Sequence, residues 1–356
     1  MSALTPGPIT GPASGRDPLA RTTGVDETIC WVPPPQARQP KSRWQRGWPL
    51  AVGVLITLGI IVASLFVGVY DVLGEGGWEM FQATRIPRTV SLVLAGSAMA
   101  MSGLVMQLMT QNRFVEPTTT GTTEWAALGL LVTLILFPGA PLMARMIGAI
   151  VFALVGTMVF FAFLRRVSLK SSLIVPIVGI MLGAVVGAAS TFLALEFDLL
   201  QQMGQWFNGS FTKITGSRYL PMWITAAVLV AVFVIADRFT VAGLGKDIAT
   251  NVGLNYTAVV FTGVTMVAIV TGVTTVVVGS LPFLGLVVPN LVSLFRGDDL
   301  RSNLPWVCMV GIWLVGLCDI VARVIIAPFE VPVSLILGFV GAVVFVILLV
   351  RRRRRG

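Results

Sequence analysis

GSLPFLGLVVPN at residues 279–290, followed by LFRGDD at 294–299, is the stretch on which the fold turns. Its apolar core is short, and Pro282, Gly285 and Pro289 interrupt it. In lipid, freed backbone groups must be re-satisfied by protein or by a water-filled cavity. Such a segment predicts a half-helix lining a cavity rather than a lipid-facing rod, provided the surrounding chain spans a membrane.

The surrounding chain does. Hydrophobic residues make up 56% of the 356 residues and charged residues only 12%, with a mean hydropathy of +0.89. Soluble domains carry roughly 25% charge. Runs of about 20 apolar residues without period-2 alternation select helices over a barrel. We expect an all-α polytopic membrane protein of about ten transmembrane helices. They fall at 48–69, 88–109, 119–137, 143–164, 172–195, 219–236, 256–278, 281–295, 304–325 and 333–350. A transmembrane domain over 48–350 follows.

Charge placement sets orientation. An even number of spans puts both termini on one side, and the run Arg351 to Arg355 marks that side as the cytoplasm. Arg113, Arg165, Arg166, Lys170, Arg238 and Lys246 fall on the same side, whereas Arg85, Arg88, Arg145, Lys213 and Arg218 fall at the other boundary. The net charge of +9 and pI near 10.3 express this positive-inside bias and do not imply nucleic acid. The chain is expected in the cytoplasmic membrane, multi-pass, with both termini inside.

Residues 1–47 differ in kind. Pro, Gly, Thr and Arg dominate, PPP stands at 33–35, and no apolar period supports a packed element. A disordered basic cytosolic tail is expected there, with a second basic cytosolic segment at 351–356. No apolar core follows a basic start, so a secretory signal is not expected. Trp44 and Trp48, beside Lys41, Arg43 and Arg46, suit an interfacial anchor.

Residue usage removes most enzymes. The sequence contains no His and only three Cys. Cys308 and Cys318 lie about 15 Å apart along one predicted helix, too far to bridge. Zinc, haem and Ser–His chemistry are excluded on these grounds, and no GxxxxGK[ST] phosphate loop occurs. Neither a catalytic residue nor a metal site is expected, so any energy for transport comes from elsewhere. Two classes remain: an ATP-driven importer subunit lacking its ATPase, and an ion-coupled secondary transporter. Ion-coupled carriers place carboxylates at membrane depth. Asp319 is the one carboxylate well inside a predicted span, and Arg323 follows at i+4 on the same face, which favours Asp319 as a partner that orients Arg323.

Five further fragments carry a resemblance. They are RIPR at 85–88 with LAGSAMAMSGLVMQ at 94–107, QNRFVEPTTTGTTEWAALG at 111–129, GLGKDIATNVGL at 243–254, DIVAR at 319–323, and FEVPVSLILGFVGAVVF at 329–345. In this order, and with 279–299, they resemble the permease subunits of ABC importers for iron–siderophore complexes, haem and cobalamin, the FecCD type. Asn290 stands where most members carry His after the Pro, and Val343 where they carry Pro. The forms PFLGLVVPN and QNRFVEPTTTGT look like the branch serving catecholate or mixed-chelate siderophores such as petrobactin and anguibactin.

The resemblance implies a type II ABC importer permease-like fold that translocates ferric siderophore. Haem or cobalamin cargo, or an ion-coupled carrier, stands as the alternative. Implied partners are a second permease subunit, which in this branch is a different, related chain, an ABC ATPase dimer holding ATP and Mg, and an extracytoplasmic siderophore-binding protein. The resemblance also implies residue roles. Arg85, Arg88 and Arg323 would meet acidic side chains of the binding protein, since a guanidinium fork binds carboxylate bidentately. Leu244, Gly245, Ala249 and Gly253 would couple to the ATPase, the glycines giving tight turns and Ala249 a low helix surface. Asn112 and Phe114, with Arg113 between them and with Ser171 and Ser172, are similar in placement to an inner gate, with loop capping the competing role for them. Met99, Met101, Met106 and Met109 are expected to pack rather than to line a path, and Thr265, Thr271, Thr274 and Thr275 to bond their own helix carbonyls.

Overall fold

The computed structural model describes residues 43–68, 77–166, 174–297 and 299–353. The expected tail falls almost wholly outside the described residues, as do Cys30, Lys170, Ser171, Ser172 and the side chains of the C-terminal arginines.

The chain forms α1 (Arg43–Phe66), α2 (Gly77–Met80), a π-helical turn (Phe81–Arg85), α3 (Ile86–Thr110), α4 (Thr122–Leu136), α5 (Leu142–Leu164), α6 (Ile174–Glu196) and α7 (Leu200–Phe207). After a 3-10 turn (Gly216–Met222) come α8 (Trp223–Gly243), α9 (Lys246–Asn251), α10 (Tyr256–Val277), α11 (Leu284–Arg296), α12 (Leu300–Val324) and α13 (Val333–Arg353). Each of the ten predicted spans falls on one of these helices. Among the described residues, seven segments are long and apolar enough to cross a membrane, while α4, α11 and the apolar part of α13 are shorter. At 1.5 Å per residue, α11 rises only about 20 Å, against a hydrocarbon core of about 30 Å. The short helix expected for the eighth span, 281–295, is present as α11.

α3 is the centre of the bundle. It packs against α8, α10, α11 and α12, and nearly all of its length is buried. Small residues permit this crowding. A Cβ on Gly96 would lie 3.0 Å from the Gly311 carbonyl oxygen of α12, and one on Gly103 would lie 2.0 Å from that of Gly285 in α11. Close approach of this kind drives helix association where lipid removes the hydrophobic force between helices. Met99, Met101, Met106 and Met109 are all buried in the same core. By contrast, α1 and α6 turn Leu55, Leu58, Ile180, Met181, Val185 and Phe192 outward, as a lipid-facing helix or one awaiting a partner does.

Two connections bear on the half-helix. Between α3 and α4, residues 113–116 lie beside α11, and between α10 and α11 the chain turns through Gly279 and Phe283, whose φ values are +105° and +62°. The α10 end of this connection is held by Ser210 N–H donating to the Val278 carbonyl and Ser280 N–H donating to that of Trp206, at 3.0 and 3.1 Å.

Candidate functional site

Polar groups gather at both ends of the bundle and at the broken helix between them. At one end, Arg85 closes the π turn, Arg88 lies on the first turn of α3, and Asp319 and Arg323 lie one turn apart near the end of α12. Asp319 is fully buried. Its Oδ1 accepts from Arg88 Nη2 at 2.7 Å, and its Oδ2 accepts from Arg323 Nε at 2.9 Å and from Arg323 Nη2. Arg323 Nη1 donates to the carbonyls of Ser64 and Val67, both at 2.8 Å, and Arg85 Nη1 donates to Val67 at 2.6 Å. Glu330 receives Arg88 Nη1 and, at 2.6 Å, the Thr212 hydroxyl. The network ties α1, α3 and α12 to the loops before the 3-10 turn and α13.

The three arginines named by resemblance are thus brought together, but not as exposed forks. Arg85 is 8% exposed, Arg88 7% and Arg323 2%. Desolvation favours pairing at this depth: Arg88 and Arg323 share the Asp319 carboxylate, whereas Arg85 bonds the Val67 carbonyl without an ion pair and Arg88 Nε has no partner among the described residues. Asp319 does hold Arg323, as the i+4 spacing predicts. Glu330 and Thr212 are the members that sequence reasoning missed, and nothing in their spacing announces a contact across more than a hundred residues.

At the other end, Gly245 and Gly253 bracket α9 with φ of +113° and +85°, the left-handed region that favours glycine. Ala249 corrects an expectation. It is fully buried against its own chain, so it seats α9 rather than offering a contact surface. The outward face consists instead of Leu244, Ile248 and Val252, exposed by 59%, 50% and 71%. Ile248 and Val252 stand four positions apart on α9 and its C-terminal cap, while Leu244 ends α8 just before the Gly245 turn.

At the broken helix, Asn112 is buried and its Oδ1 accepts from Phe114 N–H at 2.9 Å, a local turn cap. Phe114 meets Phe345 of α13 edge to face, with ring centroids 5.9 Å apart. Asn290 Nδ2, where the resembling family carries His, donates to the Arg113 carbonyl at 2.8 Å. Glu116, unsuspected from sequence, accepts from the backbone N–H groups of Phe283 and Leu286, both at 3.0 Å. One signal could have found it. Phe283 precedes α11 where Ser, Thr, Asp or Asn would normally cap a helix, so a cap had to come from elsewhere. On α10, Thr265 bonds the Phe261 carbonyl as expected, whereas the buried hydroxyls of Thr271 and Thr274 have no partner among the described residues.

Membrane-length helices packed around a buried arginine–aspartate network, with a half-helix held inside them, make this a polytopic helical membrane protein by class. The model of the FecCD transport family matches residues 50–351, and the chain belongs to that family. It is 57% identical over 321 residues to the petrobactin import system permease of Bacillus anthracis, covering 90% of this chain and 96% of that one. It is 37% identical over 305 residues to the ferric-anguibactin transport permease of Vibrio anguillarum, covering 84% and 97%. Among solved structures, a metal-chelate-type ABC transporter in an inward-facing conformation shares the fold at a TM-score of 0.73 and 22% identity, over 85% of this chain and 99% of that one.

Proposed function

We propose that this chain is the permease subunit of an ABC importer that carries a ferric siderophore of the petrobactin or anguibactin type inward across the cytoplasmic membrane. The observation that carries this is the 57% identity to a petrobactin import permease along nearly the whole of both chains. A separate ATPase dimer hydrolyses ATP with Mg, a second permease subunit completes the path, and an extracytoplasmic binding protein delivers the cargo. Both termini lie in the cytoplasm.

The ATPase takes the end that exposes Leu244, Ile248 and Val252, apolar side chains that water would otherwise cover. The binding protein takes the end that holds Arg85, Arg88 and Arg323. Asn112 and Phe114, with Ser171 and Ser172, serve the inner gate. An ion-coupled carrier is disfavoured because the chain belongs to the FecCD transport family and is similar along nearly its whole length to an import system permease, while Asp319 is already paired with two arginines.

The test is uptake of iron-labelled siderophore in vesicles holding the whole transporter. Uptake requires ATP and survives collapse of the proton gradient by an ionophore. Loss of uptake while ATP stays high would establish the ion-coupled carrier. Cells lacking the chain should grow poorly on the ferric siderophore and recover on abundant simple iron salts. Normal growth beside a cobalamin defect would reassign the cargo.

A further inference from the structure

Glu116 is 1% exposed, and every donor that reaches it among the described residues is uncharged. Its Oε1 accepts from the Thr118 hydroxyl at 2.5 Å and from Phe283 N–H, and its Oε2 from Leu286 N–H. The first N–H groups of any helix lack partners within it and carry partial positive charge. In α11 those groups are buried against the backbone of Gly103, in the second half of α3. Phe283 has no capping side chain and adopts the left-handed conformation. Glu116 supplies the missing acceptor from a different segment.

The same loop grips α11 further along. Asn290 Nδ2 donates to the Arg113 carbonyl, and Arg113 Nη1 donates to Ser293 Oγ at 3.2 Å. Arg113 to Glu116 thereby runs beside the helix from Ser293 back to Phe283, about 15 Å of rise. Gln107 Nε2 donates to the Gly285 carbonyl at 3.2 Å from the α3 side. Broken helices of transporters commonly offer their N-termini to anionic cargo. Here the protein's own carboxylate fills that position.

We propose that Glu116 is a positioning residue that pins loop 111–121 to the half-helix α11, so that the two move as one gating element during transport. This rests on the permease function proposed above. Replacing the carboxylate by an amide of equal size sets an NH2 group against a backbone N–H, a donor facing a donor, and loosens the pin without emptying its space.

The whole transporter, reconstituted with its ATPase and binding protein, provides the test. Glu116→Gln should insert and co-purify with the ATPase, yet transport at least tenfold less siderophore per ATP hydrolysed. Glu116→Gly should lose uptake similarly and regain part of it in added formate, a carboxylate small enough for the vacated space. Glu116→Asp should retain more uptake than Glu116→Gln. A second measurement does not depend on how these variants fold. With the native cysteines replaced, Arg113→Cys and Ser293→Cys are joined by a short thiol-specific cross-linker, and uptake should stay within twofold of the same variant before cross-linking. A more than tenfold loss on cross-linking would mean that the loop and α11 separate during the cycle, and would overturn the proposal. Wild-type uptake with Glu116→Gln and Glu116→Gly equally active would overturn it as well, leaving the permease function standing. Absence of uptake in the wild-type transporter would instead remove the function on which it rests.

Discussion

Arg88 Nη1 donates to both carboxylate oxygens of Glu330, at 3.0 and 2.8 Å, across 242 positions of sequence. The pair joins the start of the central helix α3 to the loop that leads into α13. Arg88 also holds Asp319, so one guanidinium spans an exposed carboxylate and a buried one. The two contacts differ in worth because their surroundings differ. The Glu330 side chain is 25% exposed and water screens it, whereas Asp319 is completely enclosed.

This asymmetry gives the first prediction. Asp319→Asn leaves Arg88 and Arg323 buried without their shared counter-charge, and breaking a buried pair in this way costs about 3–5 kcal/mol. Glu330→Gln should cost about 1 kcal/mol or less, since the exposed partner falls in the range of surface pairs. Thermal unfolding of the purified chain in detergent measures both. Equal losses would show that burial does not set the worth of these pairs.

The second prediction concerns the contact that admits no side chain. Gly103→Ala places a methyl group 2.0 Å from the Gly285 carbonyl oxygen, closer than any repacking of side chains can relieve, because the obstacle is backbone. A cost of at least about 1–3 kcal/mol is expected, together with displacement of the half-helix. Gly59→Ala is the control. Nothing lies within 4 Å of its new Cβ on α1, and removing a mid-helix glycine should stabilise by roughly 0.5–1 kcal/mol. Comparable behaviour of the two variants would contradict the close packing of α3 on α11.

Much of this architecture was legible in the sequence, because hydrocarbon permits few solutions. Apolar runs of helical length located every span, and Pro282, Gly285 and Pro289 identified the broken one. Asp319 and Arg323 could be paired because i+4 spacing fixes their geometry within a helix. What spacing could not reveal was contact between distant elements. Glu330 reaches Arg88, and Glu116 reaches α11, only after the helices have packed. Ala249 was misjudged for a related reason: a small residue suits a close contact, but only the packed α9 shows that the contact is with its own chain.

The third prediction follows from that correction. Ile248→Glu puts charge among the exposed apolar side chains and should detach the ATPase or uncouple it, while the permease itself stays inserted and as stable as before. Ala249→Glu buries an unpaired carboxylate and should destabilise the α9 region whether or not the ATPase is present. Co-purification of the ATPase, measured beside the melting temperature of the permease alone, separates the two effects. Full co-purification and normal uptake for Ile248→Glu would reduce this end to a surface connector.

The last prediction tests docking at the arginine end, where burial complicates the obvious experiment. Reversing Arg88 or Arg323 to Glu would set a third carboxylate against Asp319 and Glu330, so lost binding could simply report lost folding. Arg85 avoids this difficulty. Its guanidinium donates to the Val67 carbonyl and has no ion-pair partner among the described residues, so it can be neutralised without stranding a carboxylate. Arg85→Gln should therefore leave the melting temperature close to that of the parent while weakening the siderophore-binding protein's affinity about two- to fivefold at low salt, the scale of a partly screened pair. The difference between parent and variant should shrink as salt rises, because at physiological ionic strength charges are screened over about 8 Å. Neutralising the matching carboxylate on the binding protein should then cost little more in the Arg85→Gln background, as a double-mutant cycle requires of two residues in contact. Unchanged affinity for Arg85→Gln at low salt would confine Arg85 to holding Val67 and the end of α1, and would move the docking surface away from this cluster.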